Sequence, residues 1–127
     1  MPSVVENLIV DCADPYALAQ FWSEVTGRPL LDGDQPGDPE AIIVLENGVQ
    51  LYFSQVPEVK TVKNRLHLCL APDVQRDVEV KRLLELGATM VADRRKPDGK
   101  GWAVLGDPEG NEFCILRSAA ERAAAGD

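Results

Sequence analysis

The sequence contains few of the residues that most metal and cofactor sites need. Its 127 residues include one histidine, three cysteines and seven aromatic residues. Cys12, Cys69 and Cys114 lie far apart within apolar runs, without the spacing of a CxxC metal motif or a disulfide framework. We therefore expect reduced thiols in a cytoplasmic protein.

Long hydrophobic runs and an excess of basic charge are also missing. The apolar stretches are only a few residues long, whereas a membrane-spanning helix needs about 20, and the start MPSVVEN does not resemble a signal peptide. The chain has 13 Lys+Arg against 21 Asp+Glu, and nucleic-acid affinity depends on basic residues that neutralise phosphates. We expect no membrane and no nucleic-acid partner. The length predicts one domain over residues 1–127.

The first half of the chain reads as one strand, one helix and three further strands. The alternating run 4–12 predicts a strand. Asp14 and Pro15 are typical of a helix start and Gly27 of a helix end, which predicts a helix over 14–26. Further strands are predicted near 29–31, 41–45 and 49–56. This first module covers residues 4–56.

The same order restarts at Asn64 and defines a second module, residues 64–116. A strand over 64–71 precedes a helix capped by Asp73, and three strands follow, over 88–93, 101–105 and 111–116. In this helix the predicted apolar stripe consists of Val74, Val78, Leu83, Leu84 and Leu86. The tail 117–127 forms a short helix or none.

Two pairs of glycines give the offset between the modules. Gly27 and Gly87 differ by 60 positions, and Gly48 and Gly110 differ by 62. These offsets match three residue pairs: Asn7 with His67, Gln50 with Glu112, and Tyr52 with Cys114. In a pseudo-symmetric pair of modules, such side chains are expected to meet in one central pocket.

Several motifs resemble those of the vicinal oxygen chelate superfamily, and of its small glyoxalase-like bacterial branch in particular. They are Ala13-Asp14-Pro15, Asn64-Arg65-Leu66-His67, Leu86-Gly87-Ala88, Gly101-Trp102 and the turn Asp107-Pro108-Glu109-Gly110-Asn111. The resemblance implies an α+β fold in which two tandem βαβββ modules form a curved, incompletely closed barrel with the helices outside. It also implies a homodimer. Members of the superfamily include isomerases, lyases, dioxygenases, thiol transferases and drug-sequestering proteins, so the resemblance leaves the activity open.

The superfamily's usual device is a divalent metal held by His and Glu at four strand positions. Carried onto this sequence, those positions fall on Asn7, Tyr52, His67 and Cys114, with Gln50 as a neighbouring register for Tyr52. Of these only His67 matches the usual ligand type. We therefore expect no metal and no other cofactor. A remnant metal site made of His67, Cys114 and a carboxylate from elsewhere is a further alternative.

Two functional hypotheses from different classes follow. The first is a protein that binds a small organic molecule without a metal, through Asn7, Asp11, Tyr52, Arg65, Trp102 and Cys114. The second is a lyase or isomerase in which His67 and Glu112 transfer protons beside a substrate carbonyl. A purely structural role stays open for each of these residues. His67 could be an interior histidine, Glu112 a solvated carboxylate and Cys114 a small apolar side chain. Asp11 and Arg65 could form a structural ion pair, and Tyr52 and Trp102 could pack in the core.

Overall fold

The computed structural model describes residues 2–126, which divide into two compact units between Lys60 and Thr61. This division falls between the two expected modules. The first unit contains β1 (Asn7–Cys12), α1 (Pro15–Thr26), β2 (Glu40–Val44) and β3 (Gln50–Gln55). The second contains β4 (Cys69–Leu70), α2 (Arg76–Glu85), β5 (Thr89–Asp93), β6 (Ala103–Gly106), β7 (Glu112–Ile115) and α3 (Ala119–Ala124). The fold is α+β, with two tandem βαβββ modules, and in the first module the strand after the helix is only an isolated bridge.

Helix α1 begins and ends as its sequence predicts. The Asp14 carboxylate accepts a hydrogen bond from the backbone N–H of Ala17 at 3.2 Å, and Pro15 occupies the first turn, where a missing N–H does no harm. Gly27 ends the helix in the left-handed conformation, with φ 71°. The buried side chains of the helix are Pro15, Leu18, Ala19, Phe21, Trp22 and Val25.

The first sheet has the strand order β1-β3-β2, with β1 parallel and β2 antiparallel to β3. Alternation along the strands buries one face against α1: Leu51, Phe53, Ala41 and Ile43 are at most 1% exposed. The other face, which includes Ile9, is half-buried or exposed. The helix therefore covers one side of the sheet and leaves the other accessible.

The strand predicted near residues 29–31 is reduced to a single bridge between Leu30 and Ile43. Pro29 has no N–H to donate to a ladder. On the same side of β2, the Asp34 carboxylate accepts from the backbone N–H of Ile42 at 3.0 Å. This side-chain contact occupies the donor that a longer strand would use.

The second sheet has the order β4-β7-β6-β5, with β4 parallel to β7. Its buried face includes Leu105, Phe113 and Ile115, and α2 packs against β7. The strand predicted over 64–71 is reduced to Cys69–Leu70, so Arg65 and His67 lie outside it.

Strand registers confirm the offsets read from the sequence. Ile9 is the partner of Tyr52 across the parallel β1–β3 pair, and Cys69 is the partner of Cys114 across β4–β7. Ile9 and Cys69 differ by 60 positions, whereas Tyr52 and Cys114 differ by 62. The two modules are thus equivalent residue by residue at these strands.

Helix α2 differs from its prediction in where it begins and in which side chains it buries. Its N-cap is Gln75, which makes no side-chain capping bond, rather than Asp73. Leu83 of the predicted stripe is buried, but Val78 is 55% exposed. The buried residues of the helix are Arg76, Glu79, Val80 and Leu83. Two charged residues, Arg76 and Glu79, are buried although neither belongs to the predicted stripe.

Arg76 explains this rearrangement. Arg76 is 4% exposed, and its Nη1 donates to the backbone carbonyls of Gly99, Lys100 and Gly101, each at 3.1 Å. Its Nε donates to the Asp77 carboxylate at 3.0 Å. Arg76, the first residue of α2, therefore holds the β5–β6 loop, residues 94–102, in place through these hydrogen bonds.

The turn between β6 and β7 is organised by a buried carboxylate. Asp107 is 3% exposed, and its side chain accepts from the backbone N–H groups of Glu109 and Asn111 and from the Asn111 amide at 2.9–3.1 Å. The motif from Asp107 to Asn111 is therefore a turn that the Asp107 side chain stabilises by hydrogen bonds within the motif. Across residues 2–126 no helix combines the length and the apolar character needed to cross a membrane.

Candidate functional site

In the first module, the predicted residues Asn7, Asp11 and Tyr52 lie on the accessible face of the sheet. Asn7 pairs with Gln50 across β1–β3, and the pair Ile9–Tyr52 follows. Asn7 and Tyr52 are half-buried and Asp11 is exposed. The structure thus brings Asn7 and Tyr52 onto neighbouring positions of one surface, with Gln50 between them.

The Tyr52 hydroxyl donates a hydrogen bond to the Glu40 carboxylate on β2. This bond holds the phenol in its protonated form, so it raises the pKa of Tyr52 above 10.0. Tyr52 therefore offers a ligand a flat ring and a hydroxyl oxygen as acceptor, while its proton is directed to Glu40. The sequence contained no local signal for Glu40, because Glu40 comes within reach of Tyr52 only when β2 and β3 pair as a hairpin.

In the second module, three potential metal-ligating side chains converge. One ligand atom each of His67, Cys69 and Cys114 lies within 4.8 Å of the other two. Cys69 and Cys114 are direct partners on β4 and β7, so they share a face of the sheet. His67 and Cys69 are exposed, whereas Cys114 is 5% exposed.

His67 lies outside strand β4 because the side chain of Asn64 is inserted between the chains. Where the ladder would continue, the N–H of Glu112 donates to the Asn64 side-chain oxygen at 2.8 Å, and the Asn64 amide donates to the Leu66 carbonyl. The next bond along the ladder is regular: the N–H of Cys114 donates to the Leu68 carbonyl at 2.8 Å. The amide therefore replaces one rung of the sheet just before His67.

The Glu112 side chain is half-buried and contacts the same segment. One of its carboxylate oxygens accepts from the backbone N–H of Asn64 at 3.3 Å. Glu112 lies on the same face of β7 as Cys114 by strand alternation. Its predicted role as the proton-transfer partner of His67 stays a prediction.

Burial keeps the Cys114 thiol protonated. Desolvation, followed by the neighbouring Cys69, raises the pKa of Cys114 from 9.0 to about 11. A buried thiol of this kind is a poor nucleophile in the absence of a metal, because the thiolate is the reactive form.

The remaining predicted residues are less closely tied to this cluster. Arg65 is exposed, and Trp102 is 43% exposed at the start of β6. The ion pair between Asp11 and Arg65 stays a prediction, as does a ligand contact by Trp102. Arg95, on the loop between β5 and β6, forms ion pairs with Asp93 at 2.8 Å and Asp77 at 3.2 Å.

Sequence reasoning missed Cys69 and Asn64 as site residues. The two-residue spacing of His67 and Cys69 on a predicted strand was a usable signal, because it places both side chains on one face. The role of Asn64 had no such signal, because its side chain accepts from the backbone N–H of Glu112, which lies 48 residues further along the chain.

The donor set does not fit the superfamily's His and Glu metal device. Of the four corresponding positions, Tyr52 has its hydroxyl directed to Glu40 and Cys114 is a buried thiol. Hard divalent cations prefer clustered oxygen ligands, and His67 is the one position of the usual type.

The two βαβββ modules and the polar accessible faces of their sheets define a glyoxalase-like class of protein. A family model described as a glyoxalase-like domain matches residues 7–116. The chain belongs to this family, and the resemblance to the vicinal oxygen chelate superfamily is confirmed.

Solved structures show the same fold at low sequence identity. A fosfomycin resistance protein from Listeria monocytogenes, in complex with Mn(II) and dihydroxypropylphosphonic acid, has a TM-score of 0.70 and 16% identity over 96% of this chain and 95% of that one. A glyoxalase/bleomycin resistance protein/dioxygenase family enzyme from Burkholderia phytofirmans has a TM-score of 0.68 and 19% identity over 89% and 97%. Oxidase ChaP-H2 has a TM-score of 0.63 and 24% identity over 92% and 94%. None of the curated proteins matches the chain.

Proposed function

We propose that this glyoxalase-like chain binds a small organic molecule on the accessible faces of its sheets, without a hard divalent cation. The observation that carries the proposal is the accessibility of these faces. In each unit one face of the sheet is packed under a helix. The other face of the first sheet presents Tyr52, and in the second unit His67 is exposed just before β4. Flat rings with polar tips and an imidazole are typical of sites for organic ligands.

The relatives of known structure support a small-molecule ligand. The Listeria protein carries a short phosphonic acid, and the Burkholderia enzyme belongs to a family named for bleomycin resistance. These compounds differ greatly in size and charge. The likeness to this chain therefore supports the class of ligand and leaves its identity to experiment.

Thermal melting with and without ligand tests the proposal. Chelator-treated protein is mixed with fosfomycin, with bleomycin and with a panel of phenols and aromatic carboxylic acids. A ligand present at 100 times its dissociation constant stabilises the native state by about 2.7 kcal/mol, which melting detects easily. We expect at least one compound to raise the melting temperature.

Two variants and one control connect binding to the site. His67→Ala or Tyr52→Phe, according to the unit that binds the active compound, should weaken binding, whereas Lys81→Gln, an exposed change on α2, should not. Equal binding by all four proteins would contradict the assignment of the site. Binding that requires added Mn²⁺ would contradict the independence from a hard cation.

A proton-transfer enzyme is the second candidate function. It is favoured by an exposed imidazole near β7 and by Glu112, a half-buried carboxylate on that strand. The hemithioacetal of methylglyoxal and glutathione serves as a carbonyl test substrate. Turnover should disappear in His67→Ala and fall in Glu112→Gln, and turnover retained in His67→Ala would contradict this candidate.

We also propose the homodimer that the superfamily resemblance implies. Light scattering coupled to gel filtration should give twice the mass of the chain. A monomer mass across the micromolar range would contradict it.

A further inference from the structure

The arrangement of His67, Cys69 and Cys114 goes beyond what small-molecule binding requires. Each offers one ligand atom, and the three atoms lie within 4.8 Å of one another. Two thiols and an imidazole are borderline-soft donors that suit Zn²⁺ and similar cations, and they suit Mg²⁺, Ca²⁺ and Mn²⁺ poorly. The side chains thus have the composition of a thiophilic metal site.

The backbone fixes two of the three donors. Cys69 and Cys114 are register partners, and regular ladder bonds hold the strands on both sides of the pair: the N–H of Cys114 donates to Leu68 at 2.8 Å and that of Leu116 donates to Leu70 at 2.9 Å. Their Cβ atoms therefore point to the same face of a rigid pair of strands. Such preorganised donors bind a metal with little ordering of the chain.

The third donor reaches the thiols because the ladder is interrupted before it. The Asn64 amide takes the place of the rung at Glu112, so the segment around His67 is not held in the regular pattern of β4. The imidazole is exposed and lies beside both sulfurs.

The distances are close to those of a bound metal. Zn–S bonds of about 2.3 Å and Zn–N bonds of about 2.0–2.1 Å in a tetrahedral site place the ligand atoms about 3.6–3.8 Å apart. Separations of up to 4.8 Å require the ligand atoms to approach one another by at most about 1.2 Å, which small changes of side-chain torsion provide. Three protein ligands leave the fourth position open, as in catalytic zinc sites.

We propose that His67, Cys69 and Cys114 bind a thiophilic divalent cation of the Zn²⁺ class, with one coordination position open. This site differs from the superfamily's device in chemistry and in membership. Two of its three donors are thiolates, all three belong to the second module, and Cys69 lies at none of the four usual positions, although His67 and Cys114 lie at two of them. It goes beyond the proposed function, and it is tested with the metal alone.

Titration with Co²⁺ tests the site directly. Chelator-treated, reduced protein is titrated under anaerobic conditions, and the absorption spectrum is recorded. We expect one equivalent of Co²⁺ to produce thiolate-to-metal charge-transfer absorption together with the visible bands of tetrahedral Co²⁺, and one equivalent of Zn²⁺ to abolish them. No charge-transfer absorption would overturn the proposal.

Single variants identify the ligands. Mutation of a residue that only orients a ligand costs about 10–100-fold in metal affinity, so loss of a ligand should cost at least about tenfold. We expect this loss in His67→Ala, Cys69→Ser and Cys114→Ala. Cys69 is exposed, so its substitution should leave folding intact even where Cys114→Ala destabilises the core.

Cys12→Ser is the matched control for the loss of a thiol. It changes a cysteine of the first module and keeps a donor for the Ser54 carbonyl, which Cys12 contacts at 3.6 Å, so it should bind Co²⁺ like the parent protein. A Co²⁺ affinity of Cys69→Ser equal to that of the parent protein, or loss of the charge-transfer absorption in Cys12→Ser, would overturn the assignment. Binding of organic ligands by metal-free protein is measured separately, so failure of this site and failure of the proposed function are distinguishable.

Discussion

Arg76 is expected to contribute more to stability than any charged residue on the surface of α2. Its buried guanidinium donates to three carbonyls of the β5–β6 loop and to one carboxylate. A hydrogen bond to a charged group contributes about 1.5–3 kcal/mol, and carbonyls left without a donor add to the loss unless water reaches them. The ion pair with Asp77 adds little, because that carboxylate is 65% exposed.

The variant Arg76→Met keeps an unbranched apolar stem and removes the donors. We expect the free energy of unfolding to fall by about 2–4 kcal/mol. At roughly 4 °C per kcal/mol for a chain of this size, the melting temperature should fall by about 8–16 °C. Urea titration gives the free energy, and calorimetry gives the melting temperature.

A matched control and a local probe make the prediction specific. Lys81→Met removes a positive charge from the exposed side of the same helix, and such changes stay within about 0.5 kcal/mol. Hydrogen exchange should become faster at the N–H groups of Lys96 and Gly99, which form the internal bonds of the loop. A loss below about 1 kcal/mol in Arg76→Met, or equal losses in both variants, would show that Arg76 does not fasten the loop.

Four further predictions follow from other parts of the structure. Asp107→Ala removes the acceptor of three N–H donors in the β6–β7 turn and should destabilise the chain by about 2–3 kcal/mol in urea titration, whereas Asp107→Asn, which keeps one oxygen, should lose less. Gly101→Ala should lower the melting temperature, because Gly101 has φ 87° and its added Cβ would overlap the Arg94 carbonyl; an unchanged melting temperature would contradict this. Iodoacetamide at neutral pH should label exposed Cys69 well before Cys114, because burial raises the pKa of Cys114 to about 11. Peptide mass spectrometry measures the order of labelling, and labelling of Cys114 first would contradict this prediction. The hydrogen bond from the Arg95 side chain lowers the pKa of Asp93 from 3.8 to about 2, so this carboxylate stabilises the fold above about pH 4 and loses that effect as the pH falls toward 2. Asp93→Asn should therefore lose less stability between pH 4 and pH 2 than the parent protein in urea titrations. Equal losses in the two proteins would contradict this prediction.

Local patterns in the sequence specify the order of the elements and much of their register. Asp14, Pro15 and Gly27 set the ends of α1 because each acts through its own backbone conformation or a bond three residues away. The repeated glycines give offsets of 60 and 62 because Gly27 and Gly87 follow equivalent helices, and Gly48 and Gly110 lie in equivalent turns between strands. The motif from Asp107 to Asn111 carries its own hydrogen bonds, so it is recognisable without the rest of the chain.

Long-range packing, in contrast, selects which polar residues are buried and where β4 begins. Arg76 is buried because a loop more than 20 residues further along the chain supplies its acceptors, and no periodicity of α2 encodes that loop. His67 leaves the strand because Asn64 bonds to Glu112, 48 residues away. The cluster of His67, Cys69 and Cys114 likewise depends on pairing between β4 and β7. Contacts between residues so distant in sequence arise from packing, and sequence patterns, which report local conformation, do not record them.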